Sequence, residues 1–142
     1  MIIIGADHGG FLLKEFIKSY LYNKGYDFDD IGTYSLNSVD YPDFAHIVAS
    51  NISCNKNNIG ILVCGTGNGV NIVANKYKNV RSALCWNEII SKYAKEHNNA
   101  NIICLPGRFL TLIEAEKILD SYFNAQFESG RHQKRINLIE NE

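Results

Sequence analysis

Four short apolar runs constrain this chain more than any other feature: residues 1–6 (MIIIGA), 59–64 (IGILVC), 80–85 (VRSALC) and 101–106 (NIICLP). They are rich in Ile, Val and Leu and mostly lack an in/out alternation, which is how strands covered on both faces read. Such strands need helices above and below them, and the intervening segments supply these. Leu13, Phe16, Ile17, Tyr20 and Leu21 fall at i, i+3, i+4, i+7 and i+8 and make one apolar stripe. Gly25 suits the end of that helix, and a weaker strand follows over 26–31. Asp40, Tyr41 and Pro42 open the next helix, with Pro42 suited to its first turn. Further helices are expected at about 68–76, 87–97 and 111–123, the last with Leu112, Ala115, Ile118, Leu119, Tyr122 and Phe123 on one side.

Five strands alternating with helices imply right-handed crossovers. The expected fold is α/β: a Rossmann-like, doubly wound open sheet of five mainly parallel strands with helices on both faces. Ligands of such sheets bind beyond the carboxyl ends of the strands, near the point where strand order reverses. That nominates loops 5–10, 64–69 and 105–108. At 142 residues, with no repeat or Pro/Gly linker, the chain reads as a single domain spanning 1–142. Its tail from residue 130 stands apart: Arg131, Lys134 and Arg135 sit among Ile136, Leu138 and Ile139, so this segment is expected to dock on something, a partner subunit included.

Composition removes several function classes. The net charge of −1 gives no global attraction to nucleic acid or anionic membrane, and no basic stripe exists outside the tail. No apolar run approaches the roughly 20 residues of a membrane span, and Met1 leads into the first strand without the basic region of a signal peptide, so a cytoplasmic protein is expected. Cys54, Cys64, Cys85 and Cys104 form no CxxC pair, and no HxxxH spacing occurs, so no metal is expected.

The stretch 63–76, VCGTGNGVNIVANK, joins a strand to a helix through three glycines at every second position. It is neither of the common nucleotide cradles. The dinucleotide fingerprint needs a glycine where Val70 stands, and the P-loop needs a Gly-Lys-Ser/Thr that is absent. What remains is a loop poor in side chains, Gly65-Thr66-Gly67-Asn68-Gly69, whose backbone N–H groups can point at one anion beside a positive helix end. Cys64 stands at its lip. A thiolate there can remove a proton from carbon next to a carbonyl while the loop stabilises the enediolate; a buried strand-end thiol explains Cys64 as well.

Other candidates carry similar pairs of readings. His97 and Asn98 end a predicted helix, where an imidazolium is favoured and can act as a general acid, or where both residues serve as a simple cap. His8 follows Asp7 at the end of the first strand. Arg131 and Arg135 share a face if the tail is helical, and Arg108 follows the last strand; arginine forks match phosphate oxygens, although a solvated cationic tail is the plainer account.

Five ordered motifs, GADHGGFLLK, DYPDFA, CGTGNGVNIVANK, HNNANIICLPGR and GRHQKR, span nearly the whole chain. Together they resemble the type B ribose-5-phosphate isomerase family, which also includes galactose-6-phosphate isomerase subunits. The resemblance implies interconversion of D-ribose 5-phosphate and D-ribulose 5-phosphate through ring opening and an enediolate, in the non-oxidative pentose phosphate pathway, without metal or cofactor. Carried over by position, Cys64 is the base between C1 and C2, Thr66 helps move protons among the oxygens, and Gly65, Thr66, Gly67, Asn68 and Gly69 form the anion hole. His97 with Asp7 resembles the ring-opening pair, Asn98 and Tyr41 resemble sugar contacts, and His8, Arg108, Arg131 and Arg135 resemble the phosphate grip. One branch of the family carries a glutamate base where Val70 stands, so the chain resembles the cysteine branch. Pro106 stands where relatives often carry glycine. The family completes its site across a dimer interface, which implies a homodimer or a tetramer built from it. A six-carbon sugar phosphate such as allose or galactose 6-phosphate, or a flavodoxin-like module that only holds an anion, are the rival readings.

Overall fold

A computed structural model describes residues 1–139. The elements run β1 (Ile2–Ala6), α1 (Phe11–Lys24), β2 (Phe28–Asp30), α2 (Tyr41–Cys54), β3 (Ile59–Cys64), α3 (Asn68–Ala74), β4 (Ser82–Leu84), α4 (Glu88–Glu96), β5 (Ile102–Pro106), α5 (Leu112–Asn124) and α6 (Arg131–Asn137). The sheet has five strands in the order β2-β1-β3-β5-β4, and every pairing is parallel.

The order explains the layers. Moving from β1 out to β2 and then back across to β3 puts α1 and α2 on opposite faces if both crossovers are right-handed. The strands of the centre alternate accordingly. Ile2, Ile4, Ala6, Ile61, Val63, Ile103 and Leu105 join a core with α1, α4 and α5, while Ile3, Leu62, Cys64, Ile102 and Cys104 pack against α2 and α3. Ile4, Ile61, Leu62, Ile102 and Ile103 are fully shielded, each worth roughly 1.5–3 kcal/mol of transfer from water. The strand order reverses between β1 and β3, so the predicted site lies beyond the carboxyl ends of three adjacent central strands, β1, β3 and β5.

The two edge strands depart from expectation. Residues 26–31 and 80–85 contribute only three paired residues each, Phe28–Asp30 and Ser82–Leu84, and all three residues of β4 are half-buried. An edge strand has a ladder partner on one side only, so its pairing ends as soon as the chain turns away. Helix ends follow local chemistry: Gly25 takes φ 78° behind α1, Asn87 Oδ1 accepts from Ile90 N–H, and Thr111 and Glu114 form a reciprocal capping box. Lys14, read only as part of a helix, is completely buried; its ammonium lies 2.6 Å from Asp30, and Lys18 reaches the same carboxylate at 2.8 Å. No helix among the described residues is long and apolar enough to cross a membrane. Of the tail, residues 140–142 lie outside the described residues.

Candidate active site

Three loops meet at the carboxyl ends of β1, β3 and β5. Asp7 N–H donates to Val63 O, Gly107 N–H to Cys64 O and Arg108 N–H to Gly65 O, so the backbones after all three strands are tied together. Asp7 is buried, with one carboxylate oxygen accepting from Gly10 N–H. Pro106 ends β5 opposite Cys64, where its missing N–H costs nothing because Gly107 makes the bond to Cys64 O instead. The Arg108 side chain lies across the glycine loop: a Cβ on Gly65 would stand 3.2 Å from Arg108 Cδ, and one on Gly9 3.3 Å from Arg108 Cζ.

Cys64 is 4% exposed, and its sulfur accepts the Gly67 N–H at 3.2 Å. Gly67 holds φ 73°, a left-handed conformation that turns this amide back onto the sulfur. Asn68 N–H donates to Thr66 Oγ1. The amides of Gly65 and Thr66 make no hydrogen bond among the described residues, which leaves them for a ligand oxygen. Tyr41 closes one side, packed so tightly on Gly69 that a Cβ there would lie 2.6 Å from its ring. His8 Nδ1 sits 3.2 Å from both the N–H and the carbonyl of Val39, so the 33–40 loop fixes this ring. Val70 is completely buried against α2.

The other thiols are unsuited to proton transfer. Burial pushes the Cys85 thiol up to about 12 and raises that of Cys104 as well, both inside the core. Cys54 is exposed at the end of α2.

His97, Asn98, Arg131 and Arg135 are elsewhere. α4 runs back from the carboxyl ends of the strands, so its last residues reach the amino end of β5, where Asn101 O accepts from Gly60 N–H at the start of β3. Within one chain the sheet therefore separates His97 from Asp7 and Cys64, and the pairing of His97 with Asp7 is not made. His97 stacks on Tyr93 at 4.6 Å and on His132 at 4.4 Å between ring centres. Glu128 Oε2 lies 3.9 Å from His97 Nε2 and 3.2 Å from His132 Nε2, the second contact too poorly aligned for a hydrogen bond. Arg81 donates to the carbonyls of Asn98 and Asn99 at 2.9 to 3.1 Å and so pins the turn behind His97. α6 carries Arg131 and Arg135, both exposed, beside this cluster.

Tyr93, Glu128 and His132 were missed in the sequence. The spacings Tyr93–His97 and Glu128–His132, each i to i+4, were the available signal. His97, Glu128 and His132 form the one group among the described residues whose ligand-type atoms lie within 4.8 Å of one another. Imidazoles stacked 10° from parallel send their in-plane lone pairs side by side, not to a common point about 2 Å from each nitrogen. The arrangement suits ring packing better than a metal.

The ribose/galactose isomerase profile matches residues 2–139. The chain belongs to that family. It is 45% identical over 140 residues to a probable ribose-5-phosphate isomerase B of Mycoplasma genitalium, covering 97% of this chain and 92% of that one. It is 38% identical over 138 residues to ribose-5-phosphate isomerase B of Escherichia coli, covering 97% and 93%. Among solved structures, the ribose 5-phosphate isomerase of Thermotoga maritima superposes with a TM-score of 0.95 at 46% identity, covering 99% of this chain and 97% of that one. The M. genitalium isomerase B with bound ribulose-5-phosphate gives 0.94 at 44% identity, covering 97% and 92%. The five-stranded parallel α/β architecture is thus that of the family.

Proposed function

We propose that this chain is an aldose-ketose isomerase that interconverts D-ribose 5-phosphate and D-ribulose 5-phosphate. The observation that carries the reading is the convergence of Cys64, Asp7, Tyr41 and Arg108 on one amide-lined loop, in a chain that matches proteins of that activity over nearly its whole length.

In this reading the open-chain aldose lies with its carbonyl over the loop. The Cys64 thiolate takes the proton from C2, the electron pair moves through the C1–C2 bond onto the carbonyl oxygen, and the enediolate charge falls on the free amides of Gly65 and Thr66, with Gly69 bringing in Tyr41 as a sugar contact. The thiol then returns the proton to C1, and Thr66 passes a proton between O1 and O2 (the loop residues Gly67 and Asn68 hold Cys64 and Thr66 in place through their own N–H groups). His8 and Arg108 grip the phosphate.

His97, Asn98, Arg131 and Arg135 complete the site from a second copy of the chain, with His97 opening the furanose ring next to Asp7 of its neighbour. Two features support a homodimer. The chain cannot bring its own His97 to its own Cys64, and Trp86 just before α4 together with Ile89 and Tyr93 on it present exposed apolar side chains, Tyr93 stacking directly on His97. The tail from residue 130 then docks on the partner. Four unpaired cysteines suit a reducing cytoplasm.

Turnover of ribose 5-phosphate, allose 6-phosphate and galactose 6-phosphate in deuterated water tests the reading. Ribose 5-phosphate should turn over fastest and carry deuterium at C1 of the ketose, and Cys64→Ala should abolish both. A six-carbon preference overturns the substrate, and undiminished exchange in Cys64→Ala overturns the base.

A further inference from the structure

The isomerase mechanism gives His132 no task, although it is the buried member of the imidazole pair: its side chain is 7% exposed and that of His97 35%. The torsion that turns an imidazole about its Cβ–Cγ bond is broad, so an exposed ring is not fixed by its own covalent geometry. Neighbours must set its plane. For His97 these are Tyr93, 16° from parallel, and His132, 10° from parallel and with the shorter distance between ring centres, 4.4 Å against 4.6 Å.

The backbone delivers His132 to that place. Glu128 N–H donates to the carbonyl of Glu96, the residue before His97, so the segment leading into α6 is anchored at the end of α4. Ser129 and Gly130 then take φ 60° and 55°, which reverses the chain, and His132 N–H closes the turn on Ser129 O. Four residues after the anchor, the His132 ring lies flat on His97. Its Nε2 is buried without a hydrogen-bond partner among the described residues, a desolvation that no bond of its own offsets. Face contact with His97 is what the buried ring makes instead.

We propose that His132 is a positioning residue for ring opening, the ring whose face sets the plane of His97 and so aims it at the furanose oxygen of a substrate held in the neighbouring chain's site. This rests on the reading of His97 as the ring-opening acid. The contact also joins the two parts that one chain offers to the other's site, the end of α4 with His97 and Asn98, and α6 with Arg131 and Arg135. Acid and phosphate grip are thereby held as one unit.

Two reactions of the full-length protein, each at saturating substrate, separate aiming from folding. Opening ribose 5-phosphate breaks its C1–O4 bond and puts a proton on O4. Ribulose 5-phosphate has no furanose ring to open, because its O5 carries the phosphate, so exchange of its C1 hydrogen with deuterated water calls on Cys64 and not on His97. His132→Ala should lower kcat for ribose 5-phosphate by at least about tenfold and leave the exchange rate within about twofold of native, and His132→Phe, which restores a flat ring without its nitrogens, should recover most of the loss. No loss in His132→Ala, an equal loss of both rates, or a His132→Phe as slow as His132→Ala overturns the role of His132. His97→Ala separates this from the reading beneath it. That variant should lose ribose 5-phosphate turnover and keep exchange; if it keeps both or loses both, the assignment of His97 fails and that of His132 fails with it.

Discussion

Mixing two inactive variants offers a direct measure of how the site is assembled. β5 is five residues long, and four steps of about 3.3 Å place its end residues roughly 13 Å apart. Cys64 is level with its carboxyl end, paired with Pro106, and His97 lies at its amino end, a gap that no side-chain rotation closes. In the proposed homodimer each site takes Cys64 from one chain and His97 from its partner. Cys64→Ala and His97→Ala homodimers are each defective at both sites, and loss of a general acid or base alone costs typically 10²–10⁴-fold. Denatured together in equal amounts and refolded, they form mixed dimers in about half of cases. In each mixed dimer one site receives the intact cysteine and the intact histidine while the other receives neither, so recovered activity should approach about one quarter of the native value. The assay is ribulose 5-phosphate formation before and after co-refolding, with each variant refolded alone as control. A mixture no more active than its parents would refute the reasoning, because a site contained in one chain gives every chain one lesion and nothing to share.

Two further perturbations test local geometry. Gly69→Ala would place a methyl 2.6 Å from the Tyr41 ring; kcat/KM should fall by at least about tenfold, with thermal unfolding shifted by less than about 1 kcal/mol, and unchanged kinetics would remove Tyr41 from the sugar site. Asp30 is tied to the buried Lys14 and to Lys18. Burial alone would raise its carboxyl, but the hydrogen bonds from Lys14, Lys18 and Gly32 outweigh it and hold Asp30 below the ordinary 3.8. A lowered folded-state value means stability that is fully present above 3.8 and lost as pH falls through that lower value. Lys18 is shifted the other way, so its share persists below 10.5 and is lost only above it. Denaturant unfolding should show Asp30→Asn less stable by about 3 kcal/mol at pH 7, with the difference shrinking below pH 3.8; a difference that grows in acid contradicts the sign.

What could be read in the chain and what could not divide along a physical line. The four apolar runs and the stripe from Leu13 to Leu21 expressed burial on both faces of a sheet, and that is a local property written residue by residue, so the parallel architecture and the placing of Cys64 at the lip of a loop were legible. The motif order carried the loop residues Gly65 to Gly69 and Arg108 to one place for the same reason: each follows a strand, and parallel strands share an end. Direction along the sheet was also in the sequence, since a helix that leaves the carboxyl end of β4 must finish at the amino end of β5, but its consequence for His97 appears only when strand ends are assigned to the two sides of the molecule. Lys14 stayed hidden because a lysine among Leu13, Phe16 and Ile17 looks like one more residue on the wet side of a helix. Its burial depends on Asp30, sixteen residues away on an edge strand whose own pattern is too short to announce itself. Glu128 and His132 were obscured in the same way, since their meaning comes from a ring on another helix. In each case the missing information was a pairing between elements, and pairings of charge and ring carry no period that a single segment could display.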